Sequence, residues 1–168
     1  MLDFTDAGLA STYLEPAWEI QRVFTTLVGH LALANVDAVV LEIADGVLQV
    51  ETAALLKSPR FSAVVDGILF AAGDAMGALA GESWLRRNRL PLIALSGIVS
   101  SSPLQRQEAA KSTGLPVLDR HDLLREQTVL GLLSGTERHA RWRTPTEVRE
   151  RDLRPRSAED EALEEMAG

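Results

Sequence analysis

Short apolar runs alternate with amphipathic stretches along most of this chain, and this alternation limits the folds that it can adopt. One such run is VDAVVLEIADG, residues 36–46, in which five apolar residues between 38 and 43 are interrupted only by Glu42. A run that is apolar without polar alternation is typical of a strand buried on both faces. We therefore expect an α/β fold in which helices cover both faces of a parallel sheet, giving three layers.

The sequence predicts about five strands for this sheet. They are LDF at 2–4, AVVLEI at 38–43, AVVDGILFAA at 63–72, PLIALSG at 91–97 and LPVLD at 115–119.

Helix signals separate these runs. Residues 16–34 place apolar side chains three and four apart, as one buried helix face requires. Ser102 as N-cap, with Gln105 three residues later, predicts the start of a helix, and Gly114 predicts its C-terminal stop. The other predicted helices are a short one at 51–58 ended by Pro59, one from an Asp74 cap to about Asn88, and one after an Asp119 cap with Leu123, Leu124, Gln127, Leu130 and Leu133 near one face.

The 168 residues have the length of one domain, which we assign to 1–135. We assign 136–168 to a charged and flexible C-terminal tail, because seven arginines between Arg138 and Arg156 give way to five acids after Ser157. A solvated tail without a dedicated role is the favoured interpretation. The alternative is a partner-binding segment that is anchored by Trp142.

Composition narrows the function classes. The net charge of −7 argues against nucleic acid as a partner, because phosphate binding needs a basic surface. The absence of cysteine excludes disulfides and thiolate metal sites. No apolar run approaches the roughly 20 residues of a bilayer span, so we expect no membrane contact. The first residues carry no basic and apolar leader, which predicts a cytoplasmic protein.

Small or acidic residues follow every predicted strand, at the edge where parallel α/β sheets bind ligands. Glu42, with Asp3 or Asp6, would suit a magnesium ion, which prefers oxygen ligands. The alternative is that such acids cap helices and hold loops. For Glu42 both interpretations stay open. Capping is the favoured interpretation for Asp45, Asp74 and Asp119.

The stretch VDAVVLEIADG resembles the strand D-V-V-x-V-E-G-A-G-G of the dethiobiotin synthetase and cobyrinic acid synthase group of P-loop NTPases. The order of segments up to GLPVLD at 114–119 is also similar. The resemblance implies that Glu42 lies near magnesium and the nucleotide phosphates. It also implies that four residues lie near the nucleotide base: Ser96, Gly97, Pro116 and Val117.

The chain departs from that group in two places. The pattern E-G-A-G-G becomes EIADG, and the first strand, P-loop and first helix have no counterpart, since LDFTDAG at 2–8 resembles a later strand and a switch-like loop. KSTG at 111–114 lacks the upstream glycines of a P-loop. The resemblance therefore implies an incomplete P-loop NTPase-like domain. Mg²⁺ and ATP would bind only with a P-loop supplied from elsewhere, with Asp6 and Glu42 orienting the metal.

Two function hypotheses follow. The first is a nucleotide-binding domain related to ATP-dependent synthetases, which is inactive alone because it has no P-loop of its own. The second is a non-enzymatic oligomerisation or partner-binding module on the same scaffold. In either case we expect a homo-oligomer, or a partner chain that supplies the missing part of the sheet, because an open apolar edge promotes aggregation. A binder of another nucleotide, with a flavodoxin-like or Rossmann-like fold, is a third and weaker option. Whether the chain catalyses a reaction stays open.

Overall fold

The structure is a computed structural model that describes residues 1–34 and 36–136. These residues form two compact units, 1–44 and 45–136, which are described separately. Helices predominate. In chain order the elements are α1 (Ala17–Leu33), α2 (Val50–Leu56), α3 (Pro59–Val64), β1 (Ile68–Ala71), α4 (Ala75–Arg87), β2 (Leu92–Ser96), a 3₁₀ helix (Ile98–Ser101), α5 (Pro103–Thr113), α6 (Arg120–Leu123) and α7 (Glu126–Thr136).

The first unit contains one long helix, α1, which begins directly after Pro16. Its buried side chains are Ile20, Val23, Phe24 and Val28, at the spacing that predicted a helix over 16–34. That prediction is confirmed.

The strands predicted at 2–4 and 38–43 are wrong. Residues 2–4 lead into a hydrogen-bonded turn that ends at Gly8, and 36–44 have no regular secondary structure. Val40 in this segment is 95% exposed. A strand exists only where a neighbour pairs with its backbone. No described residue of this unit forms such a ladder with 38–43. The β-forming composition of this segment is therefore not enough to make it a strand.

The sheet of the second unit has two parallel strands, β1 and β2, with Leu69 paired to Ala94 and Ala71 to Ser96. The three-layer sheet of about five strands is therefore wrong. The segment predicted as a strand at 115–119 contributes one parallel bridge between Leu95 and Val117. The Leu95 N–H donates to the Pro116 carbonyl at 2.9 Å, and the Leu118 N–H donates to the Leu95 carbonyl at 2.8 Å.

The strand predicted at 63–72 shortens to β1 because a helix occupies its first residues. The Ser58 hydroxyl accepts a hydrogen bond from the Phe61 N–H, and Pro59 takes the first helical position of α3. Pro59 was expected to end a helix, but its fixed φ and missing N–H also suit the start of one. At the start of α2 the N-cap is Gln49, so the capping interpretation of Asp45 is wrong for that helix.

Helices α4 and α5 pack on the strands around a small core of Ala72, Ala78, Leu95, Val99, Ala109 and Val117. Asp74 caps α4, with its carboxylate 2.6 Å from the Gly77 N–H, and Ser102 caps α5. Gly114 ends α5 at a φ of +71°, which favours glycine. The predicted starts of α4 and α5 and the predicted end of α5 are therefore confirmed.

The single helix predicted after Asp119 is divided into α6 and α7 by a break at Leu124 and Arg125. Asp119 does cap α6, as predicted. The leucines expected to share a buried face are largely exposed, with Leu124 at 72% and Leu130 at 53%. Within the described ranges no helix is long and apolar enough to cross a membrane. Apart from Thr136, the predicted tail at 136–168, with its proposed anchor Trp142, lies outside the described residues.

Candidate ligand pocket at the carboxyl ends of the strands

An open pocket of about 580 Å³ lies where β2 and the 115–118 segment end in the second unit. One wall, the first wall, is the turn at 96–101, which leaves β2 and forms the 3₁₀ helix. The other, the second wall, comes from 119–124 and includes α6. Because β2 and the 115–118 segment run parallel, their carboxyl ends lie at one edge of the sheet, which is where α/β proteins bind ligands.

Gly97 shapes the first wall. Its φ is +92°, a conformation that favours glycine, and an added Cβ would lie 2.8 Å from both the backbone N and O of Ala72. The Ala72 backbone is already engaged there, since its N–H donates to Ser96 and its carbonyl accepts from Val99. The close approach of the two strand ends therefore requires glycine at this position.

Two serine hydroxyls hold the first wall in place. The Ser96 hydroxyl donates to the Leu118 carbonyl at 2.7 Å, joining β2 to the segment that leads into the second wall. The Ser100 hydroxyl donates to the Gly97 carbonyl, also at 2.7 Å. A hydroxyl that donates one hydrogen bond still has lone pairs to accept others. Both serines can therefore accept hydrogen bonds from a ligand in the pocket.

The second wall is organised by a capping box. The Asp119 carboxylate accepts from the Asp122 N–H at 2.8 Å, and the Asp122 carboxylate accepts from the Asp119 N–H at 3.1 Å. Hydrogen bonding to the backbone of Asp122 and then of His121, together with the positive charge of Arg106, holds the pKa of Asp119 below its usual value. Asp119 is thus an ionised structural acid.

Arg106 of α5 reaches both carboxylates of this capping box, at 2.9 Å from Asp119 and 2.6 Å from Asp122. Arg125 donates to the second oxygen of Asp122 at 3.2 Å. The acids of the second wall are therefore neutralised by guanidinium groups. The pocket side of this wall presents Arg120 and His121, whose side chains are exposed, beside Asp119 and two leucines, 123 and 124. Such a lining suits a polar or anionic ligand.

The structure separates the four residues that the resemblance places near a nucleotide base. Ser96 and Gly97 line the pocket. Pro116 and Val117 instead line a second, more apolar groove of about 470 Å³ beside α5. Val117 is only 4% exposed and belongs to the core, so it supports the strand pairing.

The two acids predicted to hold magnesium belong to the first unit. Asp6 lies in the turn at 3–8, where its carboxylate accepts from the Asp3 N–H at 2.8 Å. Asp3 in turn accepts from the hydroxyl and N–H of Thr5, and these bonds lower its pKa. Glu42 is exposed in the irregular segment. Across 1–34 and 36–136, no group of three or more histidines and acids is arranged to hold a metal ion.

Sequence reasoning missed His121 as a lining residue of the pocket, and it missed Arg106 and Asp122 as residues that hold the second wall. The D-x-x-D pattern at 119–122 is a local signal that could have identified Asp122 as the reciprocal member of the capping box. No local signal pointed to Arg106, because the rest of α5 and residues 115–118 separate it from its two acid partners.

Comparisons of the chain with protein-family models, curated proteins and solved structures gave no match.

Proposed function

We propose that the chain is part of a nucleotide-binding domain related to ATP-dependent synthetases, and that the pocket receives the base and ribose of the nucleotide. One observation carries the proposal: an open pocket lies at the carboxyl ends of parallel strands, beside a turn that requires Gly97. The resemblance of 36–119 to the dethiobiotin synthetase group belongs to the same proposal, since it assigns Ser96 and Gly97 to the neighbourhood of the base.

The chemistry of the walls suits a nucleoside. Ser96 and Ser100 can accept hydrogen bonds from ribose hydroxyls or from the amino group of a base. The guanidinium plane of Arg120 can stack on a base, as arginine does on planar aromatic groups. His121 adds a second planar polar group on the same wall.

The phosphates require donors from another segment or chain. The 168 residues contain no G-x-x-x-x-G-K-[ST] pattern, so the backbone amides and lysine of a P-loop would have to be supplied from elsewhere. The described residues also contain no group of three or more histidines and acids arranged to hold a metal ion. We therefore assign this chain the nucleoside part of the site and derive no phosphoryl transfer from it.

The second edge of β1 is where a supplied strand would pair. Among the described residues β1 pairs with β2 alone, and Leu69 is 39% exposed. Parallel sheets are normally covered and extended on both sides. A strand from a second copy or from a partner chain would remove this open edge.

Calorimetric titration of the full chain with adenosine and with ADP tests the proposal. We expect the dissociation constants of adenosine and ADP to lie within about threefold of each other, because without a P-loop the phosphates of ADP add little binding free energy. Ser101→Trp should fill the pocket and weaken both ligands by about tenfold or more, because Ser101 lines it. Ser62→Trp, at an exposed position of α3, is the matched control and should leave binding unchanged. Equal binding by wild type and Ser101→Trp would refute the pocket assignment.

The second candidate is a non-enzymatic oligomerisation or partner-binding module. It is favoured by the exposed apolar side chains of α7, where Val129, Leu130 and Leu133 are 37%, 53% and 43% exposed. Light scattering after size exclusion decides it. A mass of two or more copies of the 18.3 kDa chain, which Leu130→Glu reduces to one copy, supports this candidate. A monomer that binds nucleoside counts against it.

A further inference from the structure

Arg106 links α5 to α6, with partners 13 and 16 residues away in sequence. Its two terminal guanidinium nitrogens donate to different carboxylates, Nη1 to Asp119 and Nη2 to Asp122. These carboxylates already bond reciprocally to each other's backbone N–H groups. One side chain on α5 therefore binds both carboxylates of the capping box at the start of α6.

Helix α5 continues the first wall of the pocket. Its cap, Ser102, directly follows the 3₁₀ helix of that wall. Gln105, the residue before Arg106, accepts a hydrogen bond from the Ala75 N–H at 2.8 Å. This bond connects α5 to the start of α4. Consecutive residues of α5 thus attach it to α4 on one side and to α6 on the other.

We infer that Arg106 is a positioning residue of the pocket, whose guanidinium fork holds the second wall against α5 and so sets the separation of the two walls. The inference rests on the proposed function for its ligand. The hydrogen bonds from Arg106 to Asp119 and Asp122 are a property of the free protein. A planar fork with two separate donors suits two carboxylates, whereas a lysine ammonium is a single point of charge.

The chain offers a matched control in Arg125. This arginine also donates to Asp122, but from within the same segment and, among the described residues, to one carboxylate only. Replacing it removes a guanidinium next to the same capping box and leaves the connection to α5 intact. A difference between Arg106→Gln and Arg125→Gln therefore reports the connection and not the loss of charge.

Hydrogen exchange of the full chain without ligand is the first readout. The Asp122 N–H, which donates to Asp119, should exchange about tenfold faster in Arg106→Gln and at nearly the wild-type rate in Arg125→Gln. Arg106→Lys should give an intermediate rate, because one ammonium can serve only one carboxylate well. The amides of β2 should keep their protection in all three variants, which shows that the fold is intact.

Affinity for adenosine is the second readout, with about a tenfold loss expected for Arg106→Gln, a smaller loss for Arg106→Lys and none for Arg125→Gln. Unchanged Asp122 exchange in Arg106→Gln, or an equal effect of Arg125→Gln, would overturn the inference. If Arg106→Gln fails to fold, the comparison of Arg106→Lys with Arg125→Lys decides it on the same criteria. Failure of wild type to bind adenosine would refute the proposed function, while the exchange rates would still decide the role of Arg106.

Discussion

The side-chain oxygen of Gln105 accepts a hydrogen bond from the backbone N–H of Ala75, 2.8 Å away. Ala75 is the first residue of α4, where backbone N–H groups lack a partner within the helix. Its own N-cap, Asp74, satisfies the Gly77 N–H instead. The start of α4 is therefore capped by two residues, one local and one from α5.

Gln105→Ala should destabilise the protein by about 1 kcal/mol, because it leaves the Ala75 N–H without its acceptor. Urea unfolding measures the change. Gln107→Ala, at an exposed position of the same helix, is the control and should change stability by less than about 0.5 kcal/mol. Equal effects of the two substitutions would show that the bond to Ala75 contributes nothing.

Gly97→Ala should cost about 3 kcal/mol or more, since it combines an unfavourable positive φ with a Cβ placed 2.8 Å from the Ala72 backbone. Gly114→Ala is a matched control, because Gly114 also has a positive φ but nothing within 4 Å of an added Cβ. It should cost only about 1 kcal/mol. Comparable losses from both substitutions in urea unfolding would contradict the close approach at the first wall.

Gly81→Ala should destabilise the packing of α4 on β1, because an added Cβ would collide with the ring of Phe70. We expect a loss of about 2 kcal/mol, which Phe70→Leu in the same chain should partly relieve. Gly131→Ala in α7 meets nothing within 4 Å and should instead gain up to about 1 kcal/mol of helix propensity. The absence of relief in the double variant would argue against the Phe70 contact.

The capping box predicts a pH dependence of stability. The folded-state pKa of Asp119 is lowered by hydrogen bonding to the Asp122 backbone and by Arg106. Its ionised form therefore stabilises the fold at any pH above the unfolded pKa of about 3.9. This contribution is lost as pH falls through the lower folded pKa. The stability difference between wild type and Asp119→Asn should be largest near pH 6 and shrink below about pH 4. A difference that is constant over this range would contradict the role of the charge.

Helix boundaries could be predicted from the sequence where the signal is local. Asp74, Ser102 and Gly114 mark the ends of α4 and α5 because a cap depends on residues within one turn. The strand at 38–43 failed because a strand depends on a partner that the local sequence does not specify. Its composition is typical of a strand, but its backbone forms no strand.

The same distinction applies to the pocket. Gly97 can be predicted from the sequence because it lies at the end of a predicted strand, which is a local pattern. Val117, which the resemblance places near the base, is buried in the core and forms a bridge with Leu95. Arg106 could not be predicted, because the orientation of α5 decides which acids it reaches.

The proposed function requires that the pocket binds a nucleoside. An NMR titration of the ¹⁵N-labelled full chain with adenosine would test this by amide chemical shifts. We predict saturable shifts concentrated at 96–101 and 119–124, the two walls of the pocket. Shifts confined to other residues, or none at millimolar adenosine, would contradict the proposed site.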